Sequence, residues 1–202
     1  MKKPSLWALL LILFFFSACG GRKTYLVDLR YVPQVPPHLK GKQATVAMAP
    51  FVDKRSHRDD VGIRKKLDGS IDRYTTTPTS ASEGIRNAMK KFLRANGFTV
   101  LDVPEWDFKV ESLPKVEADL IVGGEILRFW SQADSLAGRT IVRTDVEIVI
   151  YLGKPKEAKV ATQRVEMGRE ITQIIFSSKK IEESLNQTLS EIIETAFAKL
   201  LT

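Results

Sequence analysis

Hydrophobic and charged residues alternate along two long stretches in the second half of the chain. In 140–152, apolar side chains such as Val146 stand between charged ones such as Glu147, and 160–172 repeats this pattern. A period of two places the apolar side chains on one face of a strand and the charged side chains on the other. The turn-forming stretch 153–157 separates the two. We therefore predict two neighbouring antiparallel strands with one solvent-exposed face.

Shorter apolar runs predict further strands. The adjacent glycines Gly123 and Gly124 inside one run predict a bulge or the close approach of another backbone, in preference to a ligand-binding loop. The stretch 25–31 has the pattern of a short edge strand. The three main runs cover 44–52, 98–103 and 118–132.

Two segments have helical periodicity. Ser80 and Glu83 form a capping box before an apolar stripe that ends at Asn96 and Gly97. A second stripe, wide enough to cover a sheet, begins after Ser178. The order of elements predicts an α+β fold in which two helices pack on one face of a mixed, mostly antiparallel sheet of about four to six strands.

The amino-terminal residues have a different pattern. Lys2 and Lys3 precede an unbroken apolar run over 6–16, and small residues lead into Cys19. Such a pattern is typical of an export signal, and the run is shorter than the roughly 20 residues that cross a bilayer. The site resembles a lipobox, which implies lipidation of the Cys19 thiol and cleavage after Ala18. Two other interpretations stay open, a plain secreted protein with a free thiol and a buried segment of a cytosolic protein.

This interpretation divides the chain into a signal peptide at 1–18, a lipidated amino terminus with an extended tether at 19–43, and one globular domain at 44–202. The tether prediction rests on several glycines and prolines among few periodic apolar positions. Diacylglyceryl and N-acyl groups on Cys19 would hold firmly, because each buried methylene contributes about 0.8 kcal/mol. Position 20 is Gly and not Asp, and by resemblance to the enterobacterial sorting rule this implies the outer membrane in preference to the inner one, with the domain facing the periplasm.

The polar segment 53–77 follows the first main strand and is long for a loop in a compact domain. We predict a candidate interaction loop at its start, because a charged loop after the end of a strand is well placed to bind an ion or a partner. A mutual salt bridge, Asp53 with Arg55 or Arg58 with Asp60, is the alternative. Around 69–76 the segment has the pattern of a short strand or hairpin. The candidate residues are Asp53, Arg55, Arg58 and Asp60.

Composition and motifs indicate little chemistry. The net charge of +7 suits anionic headgroups or an acidic partner and is too diffuse to indicate nucleic acid. A single cysteine excludes a disulfide within the chain. His38 and His57 have no second histidine or cysteine at metal spacing, and no nucleophile elbow, zinc-protease motif or phosphate loop occurs. We expect no enzymatic activity, no metal and no cofactor other than the covalent lipid.

Several features in this order resemble the YajG-type bacterial lipoproteins. They are Cys19-Gly20, the strand through Phe51, the loop Asp53-x-Arg55 to Gly62, the helix closing in Ala95-Asn96-Gly97, the strand at 119–129, and the helix after Phe176. The resemblance implies an envelope lipoprotein without established activity, and it implies no catalytic positions. The order of elements is also similar to that of auxiliary lipoproteins of lipid-transport ABC systems and of the lipopolysaccharide-assembly lipoprotein.

Two functions are compatible with the sequence. The first is a non-enzymatic lipoprotein, anchored in the outer membrane, that docks an envelope protein of an assembly or transport system. The second is a lipid- or glycan-binding accessory of an ABC-type lipid-transport system. The second predicts an apolar groove, left unfilled by the core, between the helix at 80–96 and the sheet.

Overall fold

The computed structural model describes residues 22–33 and 44–200, which form eight strands, a short 3₁₀ turn and two α-helices. The expected α+β fold with two helices and a mixed sheet is confirmed. The helices are α1 (Ala81–Ala95) and α2 (Lys179–Leu200). The strands are β1 (Thr24–Leu26), β2 (Thr45–Asp53), β3 (Asp60–Lys65), β4 (Ile71–Thr75), β5 (Thr99–Asp102), β6 (Leu120–Leu136), β7 (Arg139–Lys154) and β8 (Lys159–Gln173).

The 17-residue strand β6 is the centre of the sheet. One of its edges pairs with β7 from Ile121 to Leu136, and β7 pairs in turn with β8. Its other edge has two partners placed end to end, β2 beside its first half and β3 beside its second half. β5 continues the sheet beyond β2, and β4 and β1 continue it beyond β3. The sheet therefore branches at the point where β6 changes partner.

The predicted number of strands was wrong, and so was the prediction that most of them run antiparallel. The sheet has eight strands, not four to six, and four of its seven pairings are parallel. Strands β1 and β4 overlap the edge strand expected within 25–31 and the short strand expected around 69–76, whereas no strand was predicted at β3. The parallel pairings arise because β2, β3 and β6 run in the same direction along the branch.

Both helices contribute to one hydrophobic core on the same face of the sheet. Ser80 caps α1 by accepting a hydrogen bond from the backbone N–H of Glu83, as the capping box predicts. The apolar faces of α1 and α2 pack on β2, β6 and β7. The predicted alternation of buried and exposed side chains holds in the first half of β7, and from Glu147 onward both faces of the strand are largely buried. Within this core a hydroxyl chain links Ser131, Thr144 and Ser184 at 2.8 and 2.7 Å.

The opposite face of the sheet is covered only in part. The connection after β5 places Trp106, Phe108 and Leu113 against the start of β6 and forms a second, smaller core. A Cβ atom built at Gly123 would lie 2.7 Å from the Phe108 ring, so the glycine permits close approach of an aromatic side chain. The bulge of β6 itself lies at Leu127, while beside Gly123 the irregularity is in β2, between Met48 and Phe51. A Cβ atom built at Gly124 would lie 2.5 Å from the Val149 carbonyl oxygen, so the predicted close approach of another backbone occurs at Gly124.

The described amino-terminal segment, residues 22–33, packs on the domain. After β1 it runs along α2, where Asn186 accepts a hydrogen bond from the Arg30 N–H at 3.0 Å and donates one to the Asp28 carbonyl at 2.9 Å. Leu29 and Tyr31 are buried between the helices. The described part of the range expected to be a tether is therefore held against the core.

Candidate functional site

Arg55, one of the predicted interaction residues, is a buried cation at the branch of the sheet. Its guanidinium group donates to both carboxylate oxygens of Asp53, the closest at 2.8 Å. It also donates to three backbone carbonyls, those of Arg58 at 3.0 Å, Asp60 at 3.1 Å and Phe129 at 3.3 Å. Such planar, multidentate donation is a property of arginine that lysine lacks.

This arrangement fills the gap between β2 and β3 on the edge of β6. In the gap no strand pairs with this edge of β6. The loop after β2 supplies a hydrogen-bond donor instead, because the Lys54 N–H donates to the Ile126 carbonyl at 2.9 Å. Arg55 then donates to a buried carbonyl farther along this edge of β6, that of Phe129. Because an unpaired buried carbonyl is costly, the Asp53–Arg55 pair stabilises the branch.

The electrostatics of Asp53 agree with this role. Partial burial raises the pKa of its carboxyl group, but hydrogen bonds from the Arg55 side chain and backbone, together with the positive charges of Arg55 and Arg58, more than offset this effect. The net result is a pKa below the ordinary value of an aspartate. Asp53 is therefore a stable anion and is poorly suited to accept a proton at neutral pH.

The other two predicted residues lie at the edge of this cluster. Arg58 is exposed and contributes its backbone carbonyl to Arg55, while Asp60 forms an ion pair with Arg73 at 2.9 Å. The alternative interpretation of a mutual salt bridge is thus correct for Asp53 and Arg55 and wrong for Arg58 with Asp60. The rest of the polar segment is the β3–β4 hairpin and not a long loop.

An open depression of about 270 Å³ lies beside the buried arginine. Half-buried Trp130 and exposed His57 meet there with ring centroids 6.4 Å apart. Leu127 and Asp145 also line it. The depression therefore offers an aromatic and apolar surface next to charged groups, a composition that suits a protein contact.

The depression opens onto a charged surface that we call the outer sheet face, the side of β6, β7 and β8 turned away from the helices. Buried Glu147 lies between Arg128 and Arg164, and Arg128 also pairs with Glu166 at 2.8 Å. Arg143 bridges strands by pairing with Glu170 at 2.7 Å and with Asp134 at 3.3 Å. These mixed charges on alternate positions are the exposed face that the sequence predicts.

The outer sheet face ends at an open strand edge. All 15 residues of β8 pair with β7, and within 22–33 and 44–200 no strand pairs with its other edge. Every second N–H and C=O along that edge therefore points outward. Sequence reasoning did not identify this edge, because the order of strands in a sheet cannot be read from alternation alone.

The residues described by the structure outside this cluster show no metal-binding or catalytic arrangement of side chains. The residues that the structure describes include no cluster of three or more His, Cys, Asp or Glu side chains able to hold a metal ion. None of the described helices is both long and apolar enough to cross a membrane. Cys19 and His38 lie outside the described residues.

No family model and no curated protein matches the sequence. Among solved structures, a Xanthomonas campestris protein of the DUF330 family is similar with a TM-score of 0.56 and 12% identity, over 88% of this chain and 95% of that one. An uncharacterized protein has a TM-score of 0.50 and 9% identity, over 90% and 99%. Lipoprotein GNA1162 of Neisseria meningitidis has a TM-score of 0.40 and 10% identity, over 75% and 99%. The first two show that this fold occurs in other proteins.

Proposed function

We propose that this protein is a lipid-anchored component of the bacterial cell envelope that docks another envelope protein through its outer sheet face. In this proposal Cys19 carries the lipid, the anchor lies in the outer membrane, and the domain faces the periplasm. The protein has no catalytic activity of its own and acts as an accessory of an assembly or transport system, in keeping with the resemblance to YajG-type lipoproteins.

The observation that supports docking is the part of the outer sheet face that the second core leaves open, together with the open β8 edge. An unpaired strand edge can accept a further strand, whose main-chain hydrogen bonds supply affinity. The ion pairs beside the edge make binding specific, because a partner must present charges complementary to them. Trp130 in the adjacent depression adds a side chain of the type that dominates binding energy in protein interfaces.

The second candidate, lipid or glycan binding, needs an unfilled apolar groove between α1 and the sheet. In the described structure this space is occupied by the chain itself. Met89 and Phe92 are buried against the sheet, and Leu29 and Tyr31 of the amino-terminal segment occupy the space between the helices. No contact of the domain favours a lipid or glycan inside it, so we propose docking alone.

The test is crosslinking in cells of the tagged full-length protein, followed by extraction in mild detergent and mass spectrometry. A Cys19→Ala variant is the matched control, because it removes the proposed lipid and leaves the domain unchanged. We expect one defined envelope complex in the membrane fraction, with the yield strongly reduced in the control. Recovery of bulk membrane proteins only, or equal recovery from the control, would contradict the proposal.

A further inference from the structure

Three turns lie together at one end of the sheet, which we call the anchor end: 66–70, 136–139 and 174–178. The register brings them together, because Lys65 is paired with both Ile71 and Asp134. The β6–β7 turn follows two residues later, and Thr140 pairs with the last residue of β8. The Arg64 guanidinium also lies 4.2 Å above the Phe176 ring, which holds the third turn beside β3.

The anchor end carries much of the exposed apolar surface. Of the nine large hydrophobic side chains that are exposed among the described residues, five lie here. Ile174 and Ile175 are 85% and 86% exposed, and Leu67 is 70% exposed. Adjacent isoleucines with this exposure contribute almost nothing to the core, and grouped exposed apolar residues are typical of an interaction surface. The other two are Ile71 and Leu136.

The described chain also begins at this end. The Lys23 N–H donates to Asp72 at 3.2 Å, and the Arg73 N–H donates to the Lys23 carbonyl at 2.8 Å. Cys19 precedes Lys23 by four residues, and a chain of four residues spans at most about 14 Å. Whatever path the intervening residues take, a lipid on Cys19 would therefore be close to the anchor end.

The charges of the anchor end suit an anionic membrane surface. Five cations there have no carboxylate partner among the described residues: Arg22, Lys23, Lys65, Arg139 and Lys179. Four acidic side chains at or near this end are in ion pairs, and they are Asp72 with Lys66, Asp134 with Arg143, Glu182 with Arg30 and Glu183 with Lys180. Asp68 is exposed and lies in the first turn without an ion pair. Lysine and arginine beside apolar side chains are the composition of surfaces that lie in the headgroup layer.

We infer that the anchor end rests on the bilayer, with Leu67, Ile174 and Ile175 among the lipid headgroups and the surrounding cations on anionic lipids. This inference rests on the proposed anchoring through Cys19. The sequence predicts a domain at the end of a long tether. Because residues 22–33 are packed on the core, the domain would instead be held against the membrane. The strands of the outer sheet face then run away from the bilayer and are open to a periplasmic partner.

The test uses full-length lipidated protein reconstituted in vesicles of phosphatidylethanolamine and phosphatidylglycerol that contain a nitroxide-labelled lipid. Ile175→Cys provides a site for an environment-sensitive fluorophore, since the only native cysteine is the proposed lipid site. Lys156→Cys is the matched control, because its side chain is 79% exposed at the opposite end of the sheet. Leu67→Cys provides a second probe in a different turn of the anchor end.

We expect quenching at 175 and at 67 to be several-fold stronger than at 156, and weaker when phosphatidylglycerol is left out. Equal, weak quenching at all three positions on vesicle-bound protein would overturn the inference and leave the lipid anchor intact. A blue shift at 175 without lipid quenching would assign the surface to a protein or to a second copy, and would also overturn it. Protein that does not remain on vesicles would contradict the anchor itself.

Discussion

Replacing Arg55 by methionine removes a cation on which the branch of the sheet depends. Methionine keeps an unbranched apolar stem like that of arginine, but it is shorter, carries no charge and donates no hydrogen bonds. The substitution therefore leaves the half-buried Asp53 carboxylate without its partner. It also deprives three backbone carbonyls, including that of buried Phe129, of a donor. Because β2 and β3 meet β6 on either side of this point, we expect a loss of global stability.

The magnitude follows from the burial of the pair. Arg55 is 6% exposed, so the pair is poorly screened by solvent. Removing one partner of a buried ion pair costs about 3–5 kcal/mol, since the other charge stays buried without compensation. With a urea m-value of about 2 kcal/mol/M for a domain of this size, we expect the midpoint to fall by about 2 M.

The assay is urea unfolding of residues 19–202 with Cys19 replaced by serine, monitored by tryptophan fluorescence and circular dichroism. Arg58→Ala is the matched control, because this neighbour is exposed and contributes through its backbone carbonyl. We expect the control to change the free energy of unfolding by less than about 0.5 kcal/mol. A loss of under about 1 kcal/mol for Arg55→Met, or equal losses for both variants, would refute the reasoning.

Four further predictions follow from other contacts. Gly123→Ala should cost about 1–3 kcal/mol in urea unfolding, since its Cβ would overlap the Phe108 ring. Asn186→Ala should cost about 1–3 kcal/mol and raise proteolysis of 22–33, because two backbone groups lose their partner. Thr144→Val should cost about 1–3 kcal/mol, as it breaks the buried hydroxyl chain. Because the pKa of Asp53 is depressed by folding, its stabilising contribution should be present above about pH 4 and be lost as pH falls towards the folded pKa. An unchanged unfolding midpoint would contradict the prediction for the substitution concerned, and unchanged cleavage of 22–33 would contradict the one for Asn186. Stability that does not change between neutral and acidic pH would contradict the one for Asp53.

The sequence was most informative where side chains alternate over long stretches. Strand β7 spans Arg139–Lys154 against a predicted 140–152, and α1 spans Ala81–Ala95 with the predicted cap. Burial on one face forces a regular pattern in such elements. Strand β3 escaped prediction because charged residues occupy much of its six positions and because one of its two partners, β6, is distant in sequence.

Part of the candidate site was predictable and part was not. Asp53 and Arg55 are two residues apart, so their pairing follows from local chemistry. The contact of Arg55 with the Phe129 carbonyl joins residues 74 positions apart and depends on how β2, β3 and β6 are arranged. The open edge of β8 and the grouping of exposed apolar residues at the anchor end also depend on strand order, which a pattern of single residues does not contain.

The central claim is that the protein docks a partner through the outer sheet face, and photo-crosslinking in cells tests it most directly. A photoreactive residue at Glu166, whose side chain is 58% exposed on β8, reports on that face. One at Lys91, on the exposed side of α1, is the control. We predict adducts to a single envelope protein from position 166 and none from position 91. Adducts from position 91 alone, or none from position 166, would contradict the account.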